Sequence, residues 1–480
     1  MVTFFIALAI LIIGYLLYGK FVEKVFHPDD RQTPCVVHPD GVDFVPISKK
    51  RAFLVQLLNI AGLGPIFGAL SGAIWGPSVY LWIVFGTILG GAVHDFMCGM
   101  LSMRNDGASI SEIVGKYLGG TMKNVMRVFS VILLFMVGVV FMVGPAGLLA
   151  LLVENKVTVA VWTIVILVYF FVSTFFPIDK IIGKIYPVFG ICLIIMAVGI
   201  GGATVVNHIN GTSPMMEMTL SNLHPDGKLI FPFMFITVAC GAISGFHATQ
   251  SPLMARCLAS EKEGRQVFYG AMVAEGIIAL IWASAGIAFY NENGSLLALL
   301  QAGGGNSTVV YEMSTSLLGP VGGILALLGV VACPITSGDT AFRSCRLTIA
   351  DWFHIDQSDW KKRLAITLPM LVAAFFVSKI DYQIVWRYFS WSNQTLAMIA
   401  LWAAATYLGK YKARKAASLI AALPATFMSA VSSTYMLMAG EFPFKLGANI
   451  AYPIGIIIAV VFFVIFAARV LVPEQKVLED

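Results

Sequence analysis

His94-Asp95, Ser244-Gly245-Phe246-His247, Glu275 and Thr336-Ser337-Gly338-Asp339-Thr340 stand inside long apolar runs. Polar and ionisable groups in such surroundings are costly and usually face a cavity or another helix. His247 can hydrogen-bond a ligand or carry a proton, because an imidazole changes charge near neutral pH. A packing histidine is the competing reading. Thr336, Ser337, Asp339 and Thr340 offer hydroxyls and a carboxylate, and residues three or four apart share a helix face. Such an oxygen-rich patch suits Na⁺, or a carboxylate that takes a proton. Asp339 also stands one turn before Arg343, so a structural ion pair competes. His94-Asp95 reads as a proton relay or as a packing pair, and Glu275 as a weaker candidate of the same kind. Trp391-Ser392-Asn393-Gln394-Thr395 is polar enough to line a cavity or gate, or to hydrogen-bond between helices.

The segment Asn59-Ile-Ala-Gly62-Leu-Gly64-Pro65-Ile-Phe-Gly68 interrupts an apolar run. Its glycines allow unwinding, and Pro65 favours the first turn of a new half-helix. N–H groups at the positive end of that half-helix would hold a carboxylate. Asn59 would add a side-chain contact. Close packing through small residues is the alternative. A second interrupted run, Ala239-Cys-Gly241-Ala-Ile-Ser244-Gly245-Phe-His247, completes a candidate substrate set of Asn59, Gly62, Gly64, Pro65, Ser244, Gly245 and His247. The coupling set is His94, Asp95, Thr336, Ser337, Asp339 and Thr340, the last four suiting Na⁺. No firm metal site and no cofactor are implied; the coupling ion would be H⁺ or Na⁺.

These residues need membrane helices to place them. The chain has 480 residues, 58% hydrophobic and 12% charged, with a mean hydropathy of +0.85. A soluble domain carries about 25% charged residues, so a soluble enzyme is excluded. Thirteen apolar spans are predicted: 3–18, 52–74, 78–103, 123–153, 158–176, 181–204, 230–256, 266–290, 319–350, 364–379, 384–407, 416–438 and 450–473. With that count, 26 of the 31 Lys and Arg fall on alternate loops. Basic loops face the cytoplasm, so the N-terminus is expected outside and the C-terminus inside a cell (inner) membrane. Met1 to Tyr18 lacks a basic leader and cleavage site and reads as a retained helix. The basic residues lie between apolar runs, which argues against nucleic-acid binding. The seven Cys are scattered, with no CxxC pair. No oligomeric interface is legible.

The interrupted runs lie five spans apart and so cross in opposite directions. Ser111-Glu112 to Leu118-Gly119 is echoed by Tyr311-Glu312 to Leu318-Gly319. This is the pattern of an inverted repeat of five plus five helices, with the transport site at its paired interruptions. The expected organisation is an extra helix in 1–24, one repeat in 52–204, the second in 230–407, and two extra helices in 416–473. Intramembrane protease motifs fail, because Ala242 and Thr336 occupy positions that require Gly. There is no Walker A motif, so pumping would use an ion gradient and the chain is not expected to be an enzyme. A channel, or a transporter-like sensor, is the alternative.

Gly62-Leu-Gly-Pro-Ile-Phe-Gly-Ala-Leu70, Gly90-Gly-Ala-Val-His-Asp-Phe-Met97, Ser244-Gly-Phe-His-Ala248 and Thr336-Ser-Gly-Asp-Thr-Ala-Phe-Arg-Ser344 resemble the carbon starvation protein A (CstA) family, in its short form. The resemblance runs from about residue 3 to 440. It implies the LeuT-type fold of the amino acid–polyamine–organocation superfamily, with span two as core helix one and span seven as core helix six. It also implies uptake of peptides under nutrient limitation or, for some members, proton-coupled uptake of pyruvate. The positions carried over are Gly62, Gly64, Pro65, His94, Asp95, Ser244, His247, Ser337, Asp339 and Thr340.

Overall fold

The computed structural model describes residues 1–40, 44–154, 156–174, 179–290, 295–302, 305–357, 359–410 and 415–472, with side chains from Val188 onward in the helix that begins at Asp179. Lys412, Arg414 and Lys476, counted above among the basic loop residues, lie outside the described residues, as do the side chains of Lys180 and Lys184.

The described residues are helical, without strands. In hydrocarbon every backbone polar group must find a partner inside the protein, and a helix meets that demand within one segment. Helix α1 (Val2–Phe26) is followed by α2 (Lys49–Ile60) and α3 (Gly64–Gly72). Wide π-type turns over Trp82–Gly91 lead into α4 (Ala92–Arg104). Then come α5 (Ile110–Leu118), α6 (Gly120–Leu152), α7 (Val159–Ser173) and α8 (Asp179–Ile209). Short helical pieces, Ile230–Met234 and Phe235–Thr237, precede α9 (Gly245–Ala255). The chain continues through α10 (Gly270–Phe289), α11 (Gly305–Ala326), α12 (Cys333–Trp352) and α13 (Trp360–Val377). It ends with α14 (Tyr382–Lys410), α15 (Leu419–Met438) and α16 (Ala448–Phe466).

Among the described residues, eight helices are long and apolar enough to cross a bilayer by length and composition. This is a multi-pass membrane protein. Its outer helices expose large apolar side chains, such as Leu17 on α1 and Ile457 on α16, to the hydrocarbon. Helix α10 is apolar and buried on nearly every side, as a helix at the centre of a bundle must be. It packs against α3 and α8, while α6 runs along α12 and α14, and α9 lies against α2, α4 and α14. At the start of α1 the Glu217 carboxylate accepts the amino terminus at 2.6 Å and the N–H groups of Val2 and Thr3 at 2.9 Å. That places a negative charge at the positive end of the helix dipole. The amino terminus and Thr3 hold the Glu217 carboxyl down at about 2.

Two helices are broken where glycine and proline interrupt their apolar runs. The first break is Ala61–Leu63, and Pro65 falls in the opening turn of α3, where its missing N–H is harmless. The second spans residues 238–244 and turns at Gly241, whose φ is +87°. Glycine elbows also occur at Gly119 (φ +97°), between α5 and α6, and at Gly319 (φ +61°), inside α11. A Cβ on Gly241 would lie 2.5 Å from the Ala279 Cβ on α10. Gly241→Ala therefore combines a left-handed backbone with overpacking and is expected to cost about 2–4 kcal/mol. Thermal unfolding in detergent checks this through a clear fall in the midpoint.

Candidate functional site

The two breaks face each other although some 180 residues separate them in sequence. A Cβ on Gly64 would lie 2.3 Å from the Cys240 Cβ, and one on Gly241 would lie 3.5 Å from the Pro65 Cα. The opening turn of α3 thus rests directly on the unwound backbone before α9. Gly62 lies under the Phe141 ring, whose Cε2 atom is 2.9 Å from where a Cβ would be, and Phe141 meets Phe246 edge-on at 6.1 Å. In the opening turn of α3 Pro65 has no N–H and the Ile66 and Phe67 N–H groups donate to the Leu63 carbonyl at 3.2 and 2.8 Å, which leaves the Gly64 N–H as the first-turn donor beside this aromatic cover. Asn59 sits in the last turn of α2, half-buried.

Beside the second break lies a chain of ionisable side chains from three helices. Asp95 on α4 is fully buried, and its two oxygens lie 2.8 Å from His94 Nδ1 and 2.8 Å from His247 Nδ1. His247 projects from the first turn of α9, and its Nε2 lies 3.2 Å from Glu275 Oε2 on α10. That contact has ion-pair distance without hydrogen-bond alignment. The other Glu275 oxygen accepts the Gly241 N–H at 3.0 Å. One end of the ionisable chain is therefore bonded to the broken backbone itself. At the far end, Cys98 Sγ lies 3.7 Å from His94 Nε2. Cys240, His247 and Glu275 also bring one donor atom each within 4.8 Å of one another, a set of the kind that can hold a soft divalent cation.

Sequence reasoning put His247 with the substrate residues and read Asp95 and Glu275 as relay or packing candidates; the structure joins all three. Ser244 and Gly245 serve the start of α9. The Asn393 Oδ1 on α14 accepts the Phe246 N–H at 2.7 Å, and its amide pairs with the Ser244 hydroxyl at 3.1 Å. Gly245 leaves room for α14, since a Cβ there would lie 2.2 Å from the Asn393 carbonyl oxygen. Gln394 donates to the Phe235 carbonyl. The polar Trp391–Thr395 run thus makes hydrogen bonds between helices. Gln56, which sequence reasoning passed over, donates to Ser251 at 3.2 Å and ties α2 to α9. Its signal was an amide one turn before Asn59 in the same run.

The Thr336–Thr340 group lies elsewhere. Thr336 and Ser337 donate to the Cys333 carbonyl at 2.6 and 3.3 Å, and Thr340 to the Thr336 carbonyl at 3.1 Å. Asp339 bonds to Ser173 on α7 and lies 3.8 Å from Arg343. Gly338 packs on Phe141 and Phe170, so Phe141 stands between this group and the first break.

Comparison with known proteins fits this arrangement. The family described as carbon starvation protein CstA matches residues 1–215 and 152–294. The chain belongs to the carbon starvation protein A family. An uncharacterized membrane protein of Haemophilus influenzae is 42% identical over 353 residues, covering 63% of this chain and 95% of its own. The peptide transporter CstA of Escherichia coli is 25% identical, covering 85% of this chain and 77% of its own. The pyruvate/proton symporter BtsT of the same organism is 29% identical over 57% of this chain and 47% of its own length. A manganese transporter variant of Eremococcus coleocola shares the fold, with a TM-score of 0.50 at 11% identity, covering 88% of this chain and 95% of its own.

In this CstA-family chain packed side chains flank the paired breaks on two sides. On one side a 420 Å³ vestibule, lined by residues that include Gly144, Asn306, Ser307, Asp381 and Gln383, reaches down to Tyr382. Tyr382 and Trp386 meet Phe67 of α3 at 6.3 and 6.1 Å, and Ser71 donates to Asn306 at 3.2 Å. On the other side Arg104, at the end of α4, is buried against Glu261. Its Nε and Nη2 donate to the two Glu261 oxygens at 2.8 and 2.9 Å. Its Nη1 donates to the Tyr407 hydroxyl at 2.6 Å and its Nη2 to the His27 carbonyl at 3.1 Å. The guanidinium also lies 4.2 Å from the Phe26 ring centroid. This latch ties α1, α4, α14 and the loop before α10 together. Arg104→Met would leave the buried Glu261 carboxylate with only the Asp29 N–H at 3.0 Å and Arg31 at 3.7 Å among the partners described, and is expected to cost about 3 kcal/mol. Chemical denaturation in detergent checks this, with Arg104→Met/Glu261→Met recovering much of the loss.

Proposed function

We propose that this CstA-family chain is a secondary active transporter, not an enzyme, that imports a small carboxylate-bearing nutrient together with a proton. The observation that carries the reading is the pair of facing helix breaks bonded, through Gly241, to the buried chain Glu275–His247–Asp95–His94. The names of the relatives support a peptide or pyruvate as the nutrient, taken up under nutrient limitation. In this reading the broken, shorter or less apolar helices α2–α3, α7, α9, α13 and α14 complete thirteen crossings. The five-plus-five inverted repeat of the LeuT type then comprises 52–204 and 230–407, with extra helices at 1–24 and 416–473. The glycine elbows at Gly119 and Gly319 support it, because the two echoed sequence segments both end in a sharp turn. The N-terminus faces outward and the C-terminus the cytoplasm of the cell inner membrane.

The substrate carboxylate would meet the opening turn of α3 at Gly62, Gly64 and Pro65, once Phe141 and Phe246 part. Ser244 and His247 would close the other side. Two carboxylates and two imidazoles in a dry site gain or lose charge with each proton, and charge there is costly unless paired. A proton taken up with the substrate would remove uncompensated negative charge and favour the closed packing; its release on the other side would reopen it. A proton is preferred to Na⁺ because the chain bonded to the second break is built of two carboxylates and two imidazoles, side chains that exchange protons. The proposal gives Asp339 a packing role, through Ser173 and Arg343. A channel would conduct without accumulation, and a sensor would bind without flux.

The test is uptake of labelled pyruvate and of a labelled dipeptide by sealed liposomes containing the purified protein. Proton and sodium gradients are imposed in turn. One substrate is expected to accumulate with the proton gradient alone. Asp95→Asn should reduce this to the passive level while substrate binding persists, and Asp339→Asn should retain accumulation. Normal proton-driven accumulation by Asp95→Asn would sink the assignment.

A further inference from the structure

Away from the breaks, a 540 Å³ groove lies between the end of α5 and start of α6, α14, α16 and the turns Ala467–Leu471. Its walls are apolar, with Trp402, Phe462 and Ile465 among them, and Trp402 and Phe466 pack ring to ring at 5.5 Å. Ile465 and Phe462 face outward, so the groove opens to the surrounding hydrocarbon. At one end it is lined by Lys410 and Arg469. Both cations stand in the last turns of their helices. Helix dipoles alone favour cations there, but that does not account for two of them on one cavity from different helices. In the sequence Lys410 opens a basic run that continues with Lys412, Arg414 and Lys415.

We propose that this groove binds an anionic phospholipid, its phosphate between Lys410 and Arg469 and an acyl chain along Trp402, Phe462 and Ile465. Basic pockets between membrane helices hold such headgroups, and the bilayer supplies the chain. The charge complementarity selects an anionic lipid over a zwitterionic one, and the apolar length selects a lipid over a free phosphate. Occupancy would matter to the latch. Tyr117 lines the groove and meets Tyr407 edge-on at 5.4 Å, and Tyr407 accepts from Arg104. A lipid here would brace the side that Arg104 holds closed.

Native mass spectrometry of the full chain in detergent tests this, with phosphatidylglycerol, phosphatidylcholine and glycerol 3-phosphate added in turn. Phosphatidylglycerol is expected to be retained with clear preference, and Lys410→Ala/Arg469→Ala to weaken it by about 30-fold. Ile465→Trp, which fills the groove from its lipid face, should reduce retention of phosphatidylglycerol with both cations intact. Glycerol 3-phosphate should neither bind nor compete. An unchanged elution volume and melting temperature show that each variant is folded. Equal retention of the two lipids would overturn the proposal, as would indifference to the double variant. Binding of the free headgroup phosphate, or a dimer whose formation excludes lipid, would also overturn it.

Discussion

A carboxylate cannot stay ionised in a dry helix bundle without partners, and the placing of Asp95 answers that constraint. Each oxygen takes an imidazole nitrogen at 2.8 Å, so His94 and His247 are held by the same charge. His247 can reach Asp95 only if α9 starts where it does. Asn393 fixes that start by accepting the Phe246 N–H from outside the helix. Glu275 then bridges back, contacting His247 with one oxygen and the Gly241 N–H with the other. The unwound backbone at the second break is thereby a partner in the electrostatic network and not merely a neighbour of it. Removing any member leaves a buried polar group unpaired, which is why these side chains act as a unit.

Small residues make that unit geometrically feasible. Gly64 against Cys240, Gly245 against the Asn393 backbone and Gly91 against the Ala242 carbonyl are approaches that no Cβ would allow. Thr87 adds a hydrogen bond to the Gly241 carbonyl at 3.0 Å, from the wide turns that precede α4. In hydrocarbon, where apolar surface gives little driving force between helices, such close contacts and hydrogen bonds carry association. The same residues that permit unwinding therefore also hold the unwound segments in place.

Much of this was legible in the chain. The Gly-Pro-rich interruption at 62–68 and the Gly-Ser interruption at 241–245 announced broken helices, and the helix ends at Ile60 and Thr237 agree. The repeat paired the two breaks, but the side chains that bond to them could not be read, because sequence period says which face is apolar but not which neighbour it meets. Glu275 looked like a weak candidate for that reason: its partners Gly241 and His247 are distant in sequence. The Thr336–Thr340 group shows the same limit: its hydroxyls share one helix with Asp339 and each also donates to a carbonyl of that helix, as serine and threonine hydroxyls in helices readily do. Arg104 and Glu261 drew no notice, since a basic residue at a helix end and an acidic residue in a loop are ordinary.

The contact of Gly64 with Cys240 gives the protein a built-in chemical clock. The Cys240 thiol is almost completely shielded, and its sulfur sits where the two interrupted helices touch. A thiol reagent can reach it only while those helices are apart. The rate at which Cys240 is labelled therefore measures how often the centre of the molecule opens, with the partly exposed Cys192 and Cys257 supplying the reference for reagent access from outside.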